Sequence, residues 1–180
     1  RFRDNALAVF ERTIDVANSR HRAAYEAQLA RLRKAICDWY QRRYGVALDP
    51  ESEAIVTIGS KEGISHMCLA LLGPGDTVLV PAPAFPIHVY AAVIAGANVL
   101  RIALSDEDAF LSQLVGMCRS LYPGPKLLML NYPHNPTGTL ASKDFFAQIV
   151  DLAKRYNFMV VNDFAYARIT FDGYTAPSFL

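Results

Sequence analysis

The sequence lacks the features that mark membrane proteins and nucleic-acid-binding proteins. No apolar run approaches the roughly 20 residues that a membrane-spanning helix needs. The net charge is only +1 in 180 residues, which argues against a general nucleic-acid binder and against a protein that binds membrane surfaces. We therefore expect neither nucleic acid nor membrane among the partners of this chain.

Cysteine is also scarce. The three cysteines, Cys37, Cys68 and Cys118, are odd in number, widely spaced and placed in apolar, helix-like contexts. Such cysteines are typical of reduced core residues, not of a disulfide framework or a metal site. The sequence therefore predicts a cytoplasmic protein without a metal centre.

Two glycine-rich nucleotide-binding motifs are missing, G-x-x-x-x-G-K-[ST] and G-x-G-x-x-G. The chain begins at Arg1 instead of Met and has no signal-peptide pattern. It ends at Leu180, shortly after a hairpin-like FDGY turn. We therefore expect this sequence to be a segment of a longer protein.

What the sequence does contain is a regular alternation of strand and helix patterns. Its 52% apolar and 19% charged residues allow a substantial core. Residues 1–44 predict an N-terminal helix or helix pair, and residues 45–180 predict an α/β domain. Short apolar runs predict strands at residues 55–58, 77–80, 99–103, 127–130 and 158–161. This alternation implies a three-layer αβα fold with a mainly parallel central sheet.

The segment Lys126–Gly138, KLLMLNYPHNPTG, connects this fold to a binding site. Its first half suits a strand buried on both faces, and its second half is rich in loop-forming Asn, Pro and Gly. Taken alone, an ordinary turn is an equally good interpretation. Parallel strands, however, place their carboxyl ends at one edge, where open α/β sheets bind ligands. That edge would carry four loops, which contain Gly59-Ser60-Lys61, Phe85, Asn135, and Asp163 with Tyr166.

Ser60 and Lys61 predict an anion site. They follow Gly59 at the start of a helix, where free backbone N–H groups, a hydroxyl and an ammonium group would meet. Phosphate is the most natural ligand for such a set. An ordinary capped helix start remains an equal alternative for these residues alone.

The other three loops offer contacts for a flat polar ring. Phe85 could present an aromatic face, although a core phenylalanine is more common. Asn135 can donate a hydrogen bond to an oxygen. Asp163 ends an apolar strand and therefore needs a cationic or donor partner, such as a protonated ring nitrogen. Tyr166 lies three residues further on and could reach the same ligand. The histidines are interpreted as structural or adjacent to the site: His66, His88 and His134.

Together these groups describe a holder for a phosphorylated heteroaromatic ring, and at this point the sequence resembles a known family. The motifs VTIGSKEG, VLVPAPAFPIHVY, NYPHNPTG and NDFAYARITFDGY resemble class I aminotransferases of fold type I, which depend on pyridoxal 5'-phosphate. The resemblance runs from about residue 30 to residue 180. It is strongest to the branch that includes alanine and LL-diaminopimelate aminotransferases.

The resemblance implies a role for each candidate residue. It assigns Ser60 and Lys61 to the cofactor phosphate. It implies that Phe85 stacks on the pyridine ring and that the ring 3'-oxygen is bound by two further residues, Asn135 and Tyr166. Asp163 would hold the pyridine nitrogen protonated, because a nearby carboxylate favours its charged form. In this family the Asn-Pro bond of the NPTG motif is commonly cis.

The resemblance also implies that the reaction needs residues beyond Leu180. These are the Schiff-base lysine, which follows the Asp-x-x-Tyr motif in this family, and the arginine that receives the substrate carboxylate. No lysine of this chain matches that position: Lys34, Lys61, Lys126, Lys143 and Lys154. We therefore expect no catalytic residue in this chain and no activity of the chain alone. The intact enzyme would transfer an amino group from an amino acid to a 2-oxo acid, as a homodimer or other self-associated form.

One departure concerns the first helix. The family commonly has a Tyr and a Gly before the residues that match Leu32-Arg33, whereas RHRAAYEAQLARLRK has no glycine and Tyr25 is out of register. This segment predicts a continuous helix. Two alternative functions stay open: a non-catalytic cofactor-binding or interaction module of the same fold, and a nucleotide-binding α/β domain that lacks the usual glycine motifs.

Overall fold

The structure, a computed structural model, describes residues 22–180, so the part of the predicted N-terminal helix before residue 22 lies outside the described residues. The chain separates into two compact units, Arg1–Val56 and Thr57–Leu180. The predicted division into residues 1–44 and 45–180 stays a prediction. Within the described residues, no helix is both long enough and apolar enough to cross a membrane.

The described part of the first unit is dominated by one helix, α1, Arg22–Tyr44. It runs without interruption past Leu32, as the absence of glycine predicts. Gly45, in the left-handed conformation with φ 72°, ends the helix. Arg33 joins the helix to the following loop through a 3.0 Å ion pair with Glu51.

The second unit alternates helices and strands. Its elements are α2 (Ser60–Leu71), β1 (Thr77–Ala82), α3 (Pro86–Ile94), β2 (Asn98–Ala103), α4 (Glu107–Ser120), β3 (Leu127–Asn131), α5 (Lys143–Tyr156) and β4 (Met159–Asp163). Within residues 22–180 the sheet has four strands in the order β2-β1-β3-β4, and every pairing is parallel. The predicted α/β class and the mainly parallel sheet are confirmed.

Two separate cores show that the fold has three layers. On one face, Leu128 and Leu130 of β3 pack with residues of α4 and α5. On the other face, Leu127 and Met129 of the same strand pack with residues of α2 and α3. All five residues of β3 are buried, as expected for a strand covered by helices on both sides. The predicted αβα arrangement is therefore confirmed.

Local sequence signals explain where the helices begin and end. Ser142 caps α5 by accepting a 3.0 Å hydrogen bond from the Phe145 amide, and Asn157 ends the helix in the left-handed conformation. Pro86 occupies the first turn of α3, where its fixed φ suits the helix and its missing N–H costs nothing. At α4 the capping residue is Asp106, whose carboxylate accepts from the Ala109 amide at 2.9 Å. The three helix starts mark where the loops after β1, β2 and β3 end, at the carboxyl edge of the sheet.

The predicted strand at residues 55–58 is wrong. Ile55 and Ile58 are 83% and 91% exposed, and neither belongs to a strand. A strand needs a neighbour that pairs with its backbone, and residues 55–58 pair with none of the four strands of the described sheet. The Ile58 amide instead donates a hydrogen bond to the Glu62 carboxylate in the first turn of α2. This segment therefore leads directly into a helix.

Candidate active site

Three of the four predicted loops follow strands at the carboxyl edge of the sheet. Phe85 follows β1, Asn135 follows β3, and Asp163 is the last residue of β4. The fourth group differs, because Ser60 and Lys61 open α2 without a preceding strand. Gly59 caps this helix with φ 80°, a left-handed conformation that favours glycine.

The Lys61 ammonium group lies over the ring of Phe85. The distance from Nζ to the ring centroid is 5.2 Å, within the range of a cation–π contact. Phe85 in turn contacts His88 edge-on, with 5.9 Å between the ring centroids. The start of α2 is therefore connected to the loop after β1, and the predicted anion site adjoins the predicted stacking residue.

Asp163 has the partner that its position requires. His88 Nε2 lies 3.0 Å from Asp163 Oδ2, and the two side chains are only 3% and 7% exposed. The other carboxylate oxygen accepts a 3.3 Å hydrogen bond from the Ala165 amide. His88 was predicted to be structural or merely adjacent to the site, and its direct contact with Asp163 was not predicted. The available signal was its position one helical turn after Phe85, as a polar residue on an otherwise apolar helix.

Asn135 and Tyr166 meet directly. The Asn135 side-chain amide donates a 2.8 Å hydrogen bond to the Tyr166 hydroxyl group. Asn131, the last residue of β3, connects this pair to Asp163. Its amide donates to the Asp163 carbonyl oxygen at 2.7 Å, and its own oxygen accepts from the Asn135 backbone amide at 2.9 Å. From the sequence alone, Asn131 was predicted only to form part of a loop.

These contacts form one continuous series. It runs from Lys61 through Phe85, His88, Asp163, Asn131 and Asn135 to Tyr166. Ser60 precedes Lys61 in the chain. The structure therefore brings together the residues that the sequence predicted, across more than 100 positions of the chain. It adds two that were missed, His88 and Asn131.

His134 also holds the loop that contains Asn135. Its Nδ1 lies 2.8 Å from the Thr137 hydroxyl group, and the ring also hydrogen bonds to the Pro83 carbonyl oxygen. Burial, with a smaller contribution from His88, lowers the pKa of His134 below its usual value. A neutral His134 therefore joins the loop after β3 to the loop after β1. The Asn135–Pro136 bond in this loop is cis.

An open pocket of about 490 Å³ adjoins this cluster. Asn135 and Tyr166 line it together with apolar side chains such as Leu140 and Ile169. Lys61 and Phe85 do not line it. A ligand that touches all four loops would therefore extend beyond this pocket.

The arrangement suits a flat, anionic ring compound. It combines an ammonium group beside a helix start, an aromatic face, a buried carboxylate and a paired amide and hydroxyl group. Comparison with known proteins identifies the corresponding class. The family model described as "Aminotransferase class I and II" matches residues 4–179, and the chain belongs to this family. Enzymes of the family generally depend on pyridoxal phosphate and act on amino acids and 2-oxo acids.

Comparison with two relatives identifies the branch of the aminotransferase family. The chain is 54% identical over 152 residues to glutamate-pyruvate aminotransferase AlaC from Escherichia coli (strain K12), covering 84% of the chain and 37% of that protein. It is 40% identical over 177 residues to LL-diaminopimelate aminotransferase from Desulforudis audaxviator (strain MP104C), covering 98% of the chain and 45% of that protein. The predicted branch is confirmed. The chain spans less than half the length of either relative.

A solved structure supports the same fold. N-succinyldiaminopimelate aminotransferase from Mycobacterium tuberculosis superposes with a TM-score of 0.74 at 32% sequence identity. The match covers 83% of this chain and 39% of that one. The αβα arrangement described above is therefore part of an aminotransferase fold.

Proposed function

We propose that the second unit of the chain binds pyridoxal 5'-phosphate between its four loops. The continuous series of contacts from Lys61 to Tyr166 carries this proposal, because it joins every loop that the cofactor would touch. One small ligand can touch all four loops only if the protein holds these loops close together. The membership of the chain in a family that generally depends on this cofactor supports the same conclusion.

The donor set fits the chemistry of the cofactor. Lys61 and Ser60, at the positive end of the α2 dipole, would hold the phosphate. Phe85 would cover one face of the ring and exclude water from it. Asn135 and Tyr166, already in contact with each other, would bind the 3'-oxygen.

Asp163 would hold a proton on the pyridine nitrogen. Its carboxylate is buried beside His88, so it stays oriented and shielded from water. A shielded carboxylate favours a protonated, positively charged ring nitrogen. When bound, the cofactor supplies an electron sink for the charge that develops on the substrate Cα. Asp163 would strengthen that sink by keeping the proton in place.

For the whole protein, we propose transfer of an amino group from an amino acid to a 2-oxo acid. We propose no Schiff-base lysine within residues 1–180, because Lys61 is assigned to the phosphate and the other four precede the Asp-x-x-Tyr motif: Lys34, Lys126, Lys143 and Lys154. Residues 1–180 alone would then bind the cofactor reversibly and would not turn over. Cofactor binding can therefore be measured on this chain independently of catalysis.

A titration with pyridoxal phosphate tests the proposal. The chain should bind one equivalent, and Lys61→Ala should weaken binding about tenfold, because a charge-assisted phosphate contact is lost. Lys154→Ala, an exposed lysine on α5, is the matched control and should leave the affinity unchanged. Equal effects of the two substitutions would contradict the assignment of Lys61. A lysine adduct that borohydride traps, and that an added amino acid discharges when no borohydride is present, would contradict the proposal that the chain is inactive alone.

We also propose that the chain self-associates. Among the described residues β4 pairs only with β3, and its residues are less buried than those of β3. Met159 on this edge strand is 39% exposed. An unpaired strand edge with exposed apolar groups promotes association. Light scattering should therefore show dimers or larger species, and a stable monomer at high concentration would contradict this proposal.

A further inference from the structure

We propose that Asn131 is a positioning residue that sets the distance between Asn135 and Asp163. This inference rests on the proposed function, since Asn135 is assigned to the cofactor. The Asp163 carboxylate is held separately, by His88 and the Ala165 amide. Asn131 itself would not touch the ligand. It would act through the 3'-oxygen contact that Asn135 makes.

The contacts of Asn131 use both ends of its side chain. The residue is 2% exposed and ends β3 directly beside Asp163, its register partner at the end of β4. Its Nδ2 donates to the Asp163 carbonyl oxygen at 2.7 Å. Its Oδ1 accepts from the Asn135 amide at 2.9 Å. One buried side chain therefore joins the loop after β3 to the end of β4.

The chemistry of this position needs an amide. A side chain of this size must offer one donor and one acceptor, and asparagine does so. Aspartate keeps an acceptor and loses the donor, which would place a carboxylate oxygen against the Asp163 carbonyl group. Leucine loses both, so the partly buried Asn135 N–H and the buried Asp163 C=O lose this partner. Asn131 holds the backbone amide of Asn135, and the side chain of Asn135 in turn donates to the Tyr166 hydroxyl group.

Asn162 provides a matched control. It also joins β3 and β4 through a side-chain amide, because its Oδ1 accepts from the Tyr132 amide at 2.9 Å and its Nδ2 donates to the Tyr132 carbonyl oxygen at 3.4 Å. It has neither Asn135 nor the Asp163 carbonyl group as a partner. A purely structural role predicts similar consequences for substitution at the two positions. A positioning role predicts that they differ.

The first test needs no cofactor. Asn131→Leu and Asn131→Asp are compared with Asn162→Leu by hydrogen exchange at the Asn135 backbone amide. Asn131→Leu should increase the exchange rate at least about tenfold, because the acceptor is lost, and Asn131→Asp should change it less. Asn162→Leu should leave it near the wild-type rate. Unchanged exchange in Asn131→Leu, or an equal change in Asn162→Leu, would overturn the inference whether or not the cofactor binds.

The second test uses two ligands, pyridoxal phosphate and its analogue that lacks the ring 3'-oxygen. Asn131→Leu should weaken binding of the first about tenfold and of the second less than about twofold, because only the first can use Asn135. Equal losses for both ligands would indicate a general structural effect and overturn the inference. A wild-type chain that binds neither ligand would instead refute the proposed function, and the exchange experiment would still decide the role of Asn131.

Discussion

Replacing Asp163 with alanine should lower the free energy of unfolding by about 3 kcal/mol, because the substitution leaves a buried His88 without its partner. It should also weaken the binding of pyridoxal phosphate by roughly ten- to hundredfold, since the ring nitrogen loses a charged hydrogen-bond acceptor. Urea denaturation and absorbance titration measure the two effects separately. Both are expected to be large because the carboxylate serves two partners at once.

Asp163→Asn separates these two effects. An asparagine side chain of nearly the same size can still hydrogen bond to His88, so most of the stability should remain. The negative charge is lost, so the weakening of cofactor binding should persist. Asp151→Asn, at an exposed position on α5 away from these loops, is the control and should change neither quantity. Wild-type affinity in Asp163→Asn would show that this carboxylate does not meet the ring nitrogen.

Phe145→Ala should destabilise the fold by about 4 kcal/mol, mainly through the cavity it leaves. The Phe145 ring is 1% exposed and lies 5.6 Å from Phe110 and 5.8 Å from Tyr132, between ring centroids. Tyr132 belongs to the loop that leads to Asn135. Burial raises the pKa of Tyr132 to about 12, with a smaller electrostatic contribution from Glu107. The Tyr132 side chain is therefore largely shielded from water. The core under the loop therefore supports the site as well as the fold.

Urea denaturation of Phe145→Ala measures this effect. Phe171→Ala is the matched control, because the Phe171 side chain is 77% exposed and its removal should cost no more than about 0.5 kcal/mol. A loss below about 1 kcal/mol in Phe145→Ala would show that the packing around Tyr132 is looser than described.

Much of this fold follows from local sequence patterns. The apolar run Leu127–Leu130 predicts a buried strand because helices cover both faces of a parallel sheet. The run at residues 55–58 has a similar composition and yet forms no strand. Composition cannot reveal which strands lie beside which, since pairing depends on residues far away in the chain. The carboxyl edge of the sheet could be predicted because parallel strands share one direction.

The site was predictable to the same extent. Residue types at strand ends predict Asn135 and Asp163 as candidates, and the family resemblance supplies the roles proposed for them. The contacts of His88 and Asn131 were missed because they are tertiary. His88 meets Asp163 across 75 positions of the chain, and Asn131 reaches it across 32. A polar residue in an apolar segment predicts that a partner exists, but only the folded chain identifies that partner.

We expect the four loops to bind pyridoxal phosphate as one site. An NMR titration of the isotopically labelled chain tests it most directly. We expect saturable shifts in residues 59–61, 85–88, 131–138 and 163–166, all with the same dissociation constant, and little change elsewhere in the second unit. Shifts confined to exposed lysines such as Lys143 and Lys154, or separate dissociation constants for the separate loops, would contradict it.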